Sequence, residues 1–218
     1  MVDRQYPIHK LNYNTLLKTI NMPNYINNAE NIYKYFSFYK ILPLRELRRT
    51  LGVQFDEVQS IDIPNYVRGI DIVKHEKNAF SPPSLKIENK QIERPWYMHP
   101  EQTDLLLVLK GTRHVDLYNP VIQEKVSFTV TPDQIYVNGQ LYYDGPVLLG
   151  WSFGIFHRVE SGQDGSISIN FSNRTDDFDI KNNFSIYHLD EETGNHKLIR
   201  DGYKDQPNHQ LEDSNKSN

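Results

Sequence analysis

From about Val67 onward the apolar residues of this 218-residue chain stop recurring at helical spacing and fall two apart, alternating with polar ones. That period is the signature of strands with one face in a core and the other in water. It is carried by Val67, Ile70 and Ile72, then by a continuous apolar run over residues 105–109, then by Val115 and Leu117, and by Val126, Phe128 and Val130. Residues 166–171 alternate serine or asparagine with isoleucine and phenylalanine. Turn residues punctuate the runs. Asn119-Pro120 is one turn, and Asn138-Gly139, between residues 135–137 and 141–143, is a strong two-residue hairpin signal. Asp190 to Gly194 separates the last two strand-like runs. Many short strands divided by turns call for an antiparallel sandwich or barrel.

The first 60 residues read differently. Asn28 suits the N-cap of a helix in which Ile32, Tyr35, Phe36 and Tyr39 make one apolar stripe. A second helix is expected over residues 43–51, with Pro43 in its first turn, Leu44, Leu47 and Leu51 on one face, and Gly52 past its end. The basic residues of 44–49 are its solvated face. The expected organisation is therefore a helical N-terminal arm over 1–62, a β-barrel over 63–200 and a polar, disordered tail over 201–218.

Composition narrows the functions. With 24 Lys+Arg against 28 Asp+Glu, the formal charge is -4, the wrong sign for a nucleic-acid partner. There is no cysteine, which excludes a disulfide scaffold, a thiolate zinc site and a cysteine nucleophile. No apolar run approaches the roughly 18 residues of a membrane span. The polar start lacks an apolar signal core. The expectation is a soluble cytoplasmic protein with neither a nucleic-acid nor a membrane partner.

Chemistry concentrates in residues 97–111 and 145–157. Strand parity turns Tyr97 and His99 to one side, with Glu101 joining them if the strand continues through Pro100. Asp104 opens the next apolar run, and His157 shares a face with Ile155 and Val159. Two imidazoles and a carboxylate converging from different strands are donors suited to a divalent first-row metal.

The spacing of these residues resembles the two motifs of the cupin superfamily, whose fold is a jelly-roll barrel. Tyr97-x-His99, four residues, Asp104, six residues and Gly111 match the intervals of the first motif. Ser152-x-Gly154-x-x-His157, three residues and Ser161 match those of the second. The resemblance covers roughly residues 65–200. It implies a mainly β protein, a cupin-type antiparallel barrel with the helical arm before it. It also implies a metal site at His99, Asp104 and His157 for a divalent ion such as Fe, Mn, Ni or Zn. The departures are informative. Tyr97 stands where the family places its first histidine, and a phenol with an ordinary pKa near 10 is a poor ligand at neutral pH. Glu101 or a water is then needed to fill that place, and Asp104 replaces a longer glutamate.

Parity counted from Val115 and Leu117 turns Arg113 inward, where its guanidinium suits a carboxylate or phosphate of a ligand. A shift of register leaves it outside. His114 then faces outward. Trp96, Trp151 and Phe153 either wall the mouth of the barrel or simply pack.

Three functions follow. One is a metal-dependent enzyme, an oxygenase, isomerase or lyase acting on a small anionic molecule. The second is a metal-free epimerase-like or isomerase-like protein in which His99 is the base, Asp104 orients it and Tyr97 is the acid. The third is a barrel that binds a small ligand without catalysis. In each, the aromatic N-terminal stripe and the open edges of the barrel favour a homodimer.

Overall fold

The computed structural model describes residues 38–50, 53–57, 67 and 69–205. Among them, β1 (Tyr39–Pro43), β2 (Arg45–Thr50), β3 (Val53–Glu57) and β4 (Gly69–His75) come first. β5 (Phe80–Ser81), β6 (Leu85–Ile87), β7 (Lys90–Ile92) and β8 (Trp96–Met98) follow. Next are β9 (Gln102–Asn119), β10 (Glu124–Val130), β11 (Gln134–Val137) and β12 (Gln140–Asp144). β13 (Val147–Trp151), β14 (Phe156–Arg174), β15 (Ile186–Leu189) and β16 (His196–Arg200) complete the strands, with a one-turn helix α1 (Ile180–Asn183) between β14 and β15. Every pairing is antiparallel, and the main sheet is continuous through 12 strands. The architecture is the cupin-type antiparallel barrel. No helix among the described residues is long and apolar enough to cross a membrane.

Two long strands make the barrel. β9 and β14 pair along nearly their whole length, from Phe156 opposite Tyr118 to Arg174 opposite Gln102. Their register breaks between Ser161 and Ser166, where each strand turns from one wall into the other. The first wall carries β1, β13, β4 and residues 102–110 of β9. The second carries β10, β11, β12, β8 and residues 112–119. Glycine makes the turn possible. Gly111 has φ +74°, and a Cβ there would lie 2.0 Å from the carbonyl oxygen of Gly165, itself at φ +70°. No L side chain fits that crossing.

The alternating residues of the second wall point inward. Val115, Leu117, Val126, Phe128, Val130 and Ile135 meet Leu149 and Trp151 of the first wall in one core. Asn138 and Gly139 both have positive φ, as a two-residue hairpin of this hand requires, and join β11 to β12.

The helix expected over 43–51 does not form. Residues 39–43 pair with β13, placing Ile41 opposite Leu149 and Leu42 opposite Leu148, and residues 45–50 pair with β3. β13 is buried at every position, and β1 supplies it with backbone partners and an apolar row. That burial holds 39–43 extended, and the ladder with β3 does the same for 45–50, against an i, i+3, i+4 pattern that a short helix satisfies only weakly. Tyr39 leaves the expected stripe for the same reason and stands edge-on to Phe128, ring centroids 4.9 Å apart. Asn28, Ile32, Tyr35 and Phe36 lie outside the described residues. Of the expected tail, Gly202–Asp205 forms a 3-10 turn with Gly202 buried against Phe184, and 206–218 lie outside the described residues.

Candidate functional site

The centre lies where the two walls face each other. On the first wall Trp151, Asp104 and Ser172 form one row across β13, β9 and β14, so their side chains share the inner face. On the second wall His157 pairs with Leu117 on one side and Tyr97 on the other, again facing inward. His99 follows β8, and its carbonyl accepts from the amide of Gly154, 2.8 Å away, which holds the two motif segments together. His99, Asp104 and His157 are 5%, 2% and 5% exposed, and one ligand-type atom from each lies within 4.8 Å of the others.

A closed ring of polar contacts fixes this arrangement. Gln102 donates from Nε2 to Asp104 Oδ1 at 2.8 Å, and Asp104 Oδ2 faces His99 Nε2 at 3.2 Å. His99 Nδ1 donates to the carbonyl of Asn183, whose Nδ2 returns to Gln102 Oε1 at 3.1 Å. Arg174 Nε adds a second donor to Gln102 Oε1 at 2.9 Å. Both nitrogens of His99 therefore meet acceptors, and the ring is fully bonded when both carry protons. His99 is held rather than poised.

His157 is held from one side only. Its Nδ1 faces the carbonyl of Ile155 at 3.4 Å, a long contact that a carbonyl accepts only from N–H. That leaves the Nε2 lone pair turned toward the cluster. Its ring lies 4.6 Å from His99, 5.2 Å from Trp151 and 5.9 Å from Tyr97. Burial, and then the charge of His99, push the His157 imidazole down to about 3, against the opposing pull of Asp104. For Asp104 burial pushes upward, but the neighbouring imidazoles and Gln102 outweigh it and hold the carboxyl below its ordinary value.

These directions give a sign for acid stability. His157 is neutral in the folded chain and binds a proton near 6.5 when unfolded, so the unfolded state holds more protons between pH 6.5 and about 3. Stability contributed by neutral His157 is lost as pH falls through that window, by a few kcal/mol in order of magnitude. Asp104, with a depressed pKa, contributes stability that is lost at still lower pH. Urea unfolding at stepped pH should show stability rising from pH 3 to 6.5, with a clearly shallower rise in His157→Asn. An unchanged slope in that variant would mean the imidazole titrates normally.

The other expected residues fall elsewhere. Tyr97 packs on His157, but its phenol shares a hydrogen bond with Ser81, and burial raises its pKa. Phe184, 40% exposed, stands edge-on to Tyr97 and His99 on the solvent side. Glu101 turns away from the centre and accepts from the hydroxyl of Thr175 at 2.5 Å. Arg113 does face inward and is 2% exposed, but it pairs with Ser161, four residues along β14 from His157. At the rise of a strand that is roughly 13 Å away. It donates to Ser166 Oγ at 3.0 Å and to the carbonyl of Val73 at 3.1 Å, tying β9 to β14 and β4. His114 is exposed and contacts Thr129.

Sequence reasoning passed over Gln102, Asn183 and Arg174. Parity was a sufficient signal for Gln102, two residues before Asp104 on the same strand. Asn183 has no local signal. It reaches the site because Asp179 caps α1 and accepts from the amide of Lys181, which sets the helix against the barrel.

The donor set fits a divalent ion. Both imidazoles direct Nδ1–H to backbone carbonyls and leave Nε2 for the centre, the support that metal-bound histidines usually have. The same groups also stand as a carboxylate–imidazole contact beside a neutral imidazole.

No protein-family model matches the chain, and no curated protein matches it. Solved structures do. One is the sugar 3,4-ketoisomerase QdtA from Thermoanaerobacterium thermosaccharolyticum in complex with TDP-4-keto-6-deoxyglucose, at 13% identity over 65% of this chain and 84% of that one, TM-score 0.45. Another is a 3,4-ketoisomerase from Helicobacter canadensis, at 12% identity, 63% and 84% coverage and TM-score 0.45. A third is the RmlC epimerase of Mycobacterium tuberculosis, at 11% identity, 63% and 64% coverage and TM-score 0.44. The class assigned to this chain rests on its own strand order and register: a cupin-type barrel with a buried His-Asp-His cluster between its walls.

Proposed function

We propose that the barrel centre binds a small anionic molecule bearing a carbonyl and moves a proton on it without a metal, as an isomerase or epimerase does. The observation that carries this is the division of labour between the two imidazoles. Both nitrogens of His99 are engaged, whereas Nε2 of His157 has no hydrogen bond among the described residues. The base is therefore His157, not His99. His157 takes a proton from the hydroxyl-bearing carbon beside the ligand's carbonyl, and an enediolate forms. The proton returns to the opposite face of the same carbon, or to the former carbonyl carbon while the hydroxyl proton passes to the other oxygen, so that carbonyl and hydroxyl exchange places. Only protons move, so no redox partner is needed. A base held near 3 is weak. An anionic ligand against the ring raises it, since an opposite charge favours the protonated form. Ligand binding and base activation are thereby one event. The Arg174 guanidinium, bonded to Gln102 in the network around Asp104, supplies a positive charge that favours an anion. Burial keeps the Tyr97 phenol protonated, as a proton source must be.

The test uses TDP-4-keto-6-deoxyglucose and related keto sugars, which join an anionic diphosphate to a carbonyl. Incubated with the protein in heavy water, the substrate should gain deuterium beside the carbonyl. No incorporation across the series would contradict the reading.

The donor geometry supports a second reading. His99, Asp104 and His157 would then hold a divalent first-row ion, which supplies Lewis-acid polarisation of a ligand carbonyl. Metal analysis separates the two. A stoichiometric ion lost from both His99→Ala and His157→Ala, yet kept in His114→Ala, would establish it.

A homodimer belongs to the same proposal. Ile70 and Ile72 on β4 are 67% and 68% exposed, and β4 pairs only with β14 among the described residues. A second copy covers that apolar edge. Sedimentation should give twice 25.6 kDa; a single-chain mass at micromolar concentration counts against it.

A further inference from the structure

The barrel centre contains a buried donor that the protein itself does not use. Trp151 is 4% exposed, and its indole Nε1 is buried without a hydrogen-bond partner. Buried polar groups are nearly always paired, because leaving one unpaired forfeits its hydration for nothing. The position makes the exception informative. Trp151 ends β13, whose other residues are Val147, Leu148, Leu149 and Gly150, and an all-carbon side chain would continue that apolar run. It stands directly opposite Asp104 on the inner face, with its ring 5.2 Å from the His157 imidazole. An unused donor thus sits on the ring that neighbours His157 in the centre.

We propose that Trp151 is a ligand-binding residue, its indole N–H donating to an oxygen of the small anionic molecule held against His157. The inference rests on the centre being a binding site and is independent of whether a proton then moves. A carboxylate, phosphate or carbonyl oxygen meets the requirement, since each accepts a hydrogen bond and carries no proton that competes with the indole.

The chain has two tryptophans, so its proton–nitrogen correlation spectrum contains two indole signals, and Trp151→Phe identifies which is which. If that variant does not fold, Trp96→Phe makes the same assignment, and the measurement itself is made on the natural chain. TDP is titrated in one arm and inorganic phosphate in another, which separates a nucleotide ligand from a bare oxyanion. The expected result is a saturable shift of the Trp151 signal while the Trp96 signal stays, with at least tenfold weaker binding in Trp151→Phe. A Trp151 signal that stays put at the highest concentration of both probes overturns the proposal, as does unchanged affinity in Trp151→Phe. A shift in a protein that incorporates no deuterium would remove the proton-transfer reading and leave the binding role. Incorporation with an unmoved indole signal would do the reverse.

Discussion

Replacing His157 with alanine should slow deuterium incorporation by about 10²–10⁴-fold, the usual contribution of a positioned general base. The size of the loss follows from the site. No other imidazole of the cluster has a free nitrogen, because His99 is bonded on both sides. Its substitution therefore cannot be compensated from within the ring. Small added imidazole should restore part of the rate, since the alanine leaves room for it beside Asp104. A rate that survives His157→Ala would assign the base elsewhere, with His99 the nearest imidazole. Glu101→Gln should leave the rate within a few-fold, because Glu101 is turned toward Thr175.

Asp104→Ala should lower the free energy of unfolding by about 2–5 kcal/mol, the usual cost of leaving two buried polar groups unpaired. The variant strands two groups at once. His99 Nε2 loses the oxygen it faces, and Gln102 Nε2 loses its acceptor. Both remain buried, so water cannot replace the lost oxygen atoms. Asp104→Asn keeps an acceptor in place but loses the charge, and should fall between alanine and the natural residue. Urea unfolding monitored by circular dichroism reads both variants. A loss below about 1 kcal/mol, the scale of an exposed pair, would mean that the ring of contacts is not closed in solution.

Much of the barrel is legible in the sequence because a period of two leaves few choices. Val115 and Leu117 set the inner face of β9, and every cross-strand partner then follows by register. The same parity placed Arg113 on the inner face. It gave a side of the strand and no position along the barrel, and the structure puts Arg113 four residues away from His157, as a tie between strands. The leucines of 43–51 satisfy a helical template, but Pro43 is held extended by β13, about a hundred residues later, and Arg45–Thr50 by the following strand β3. Asn183 was invisible for the same physical reason. Its carbonyl holds His99 across a sequence gap of 84 residues, and nothing in the local pattern of α1 marks it. Trp151 was legible as an aromatic beside the second motif. That its N–H is buried without a partner is a property of packing alone.

The protonation states of the two imidazoles test the central claim most directly, because a proton-transfer site needs one free lone pair and one held ring. Long-range proton–nitrogen spectra of the histidine rings read the tautomer of each. His157 should be neutral at pH 7 with its proton on Nδ1 and should stay neutral below pH 5, while both ring nitrogens of His99 should be engaged in hydrogen bonds. A His157 that is protonated at pH 7, or that carries its proton on Nε2, would contradict the account.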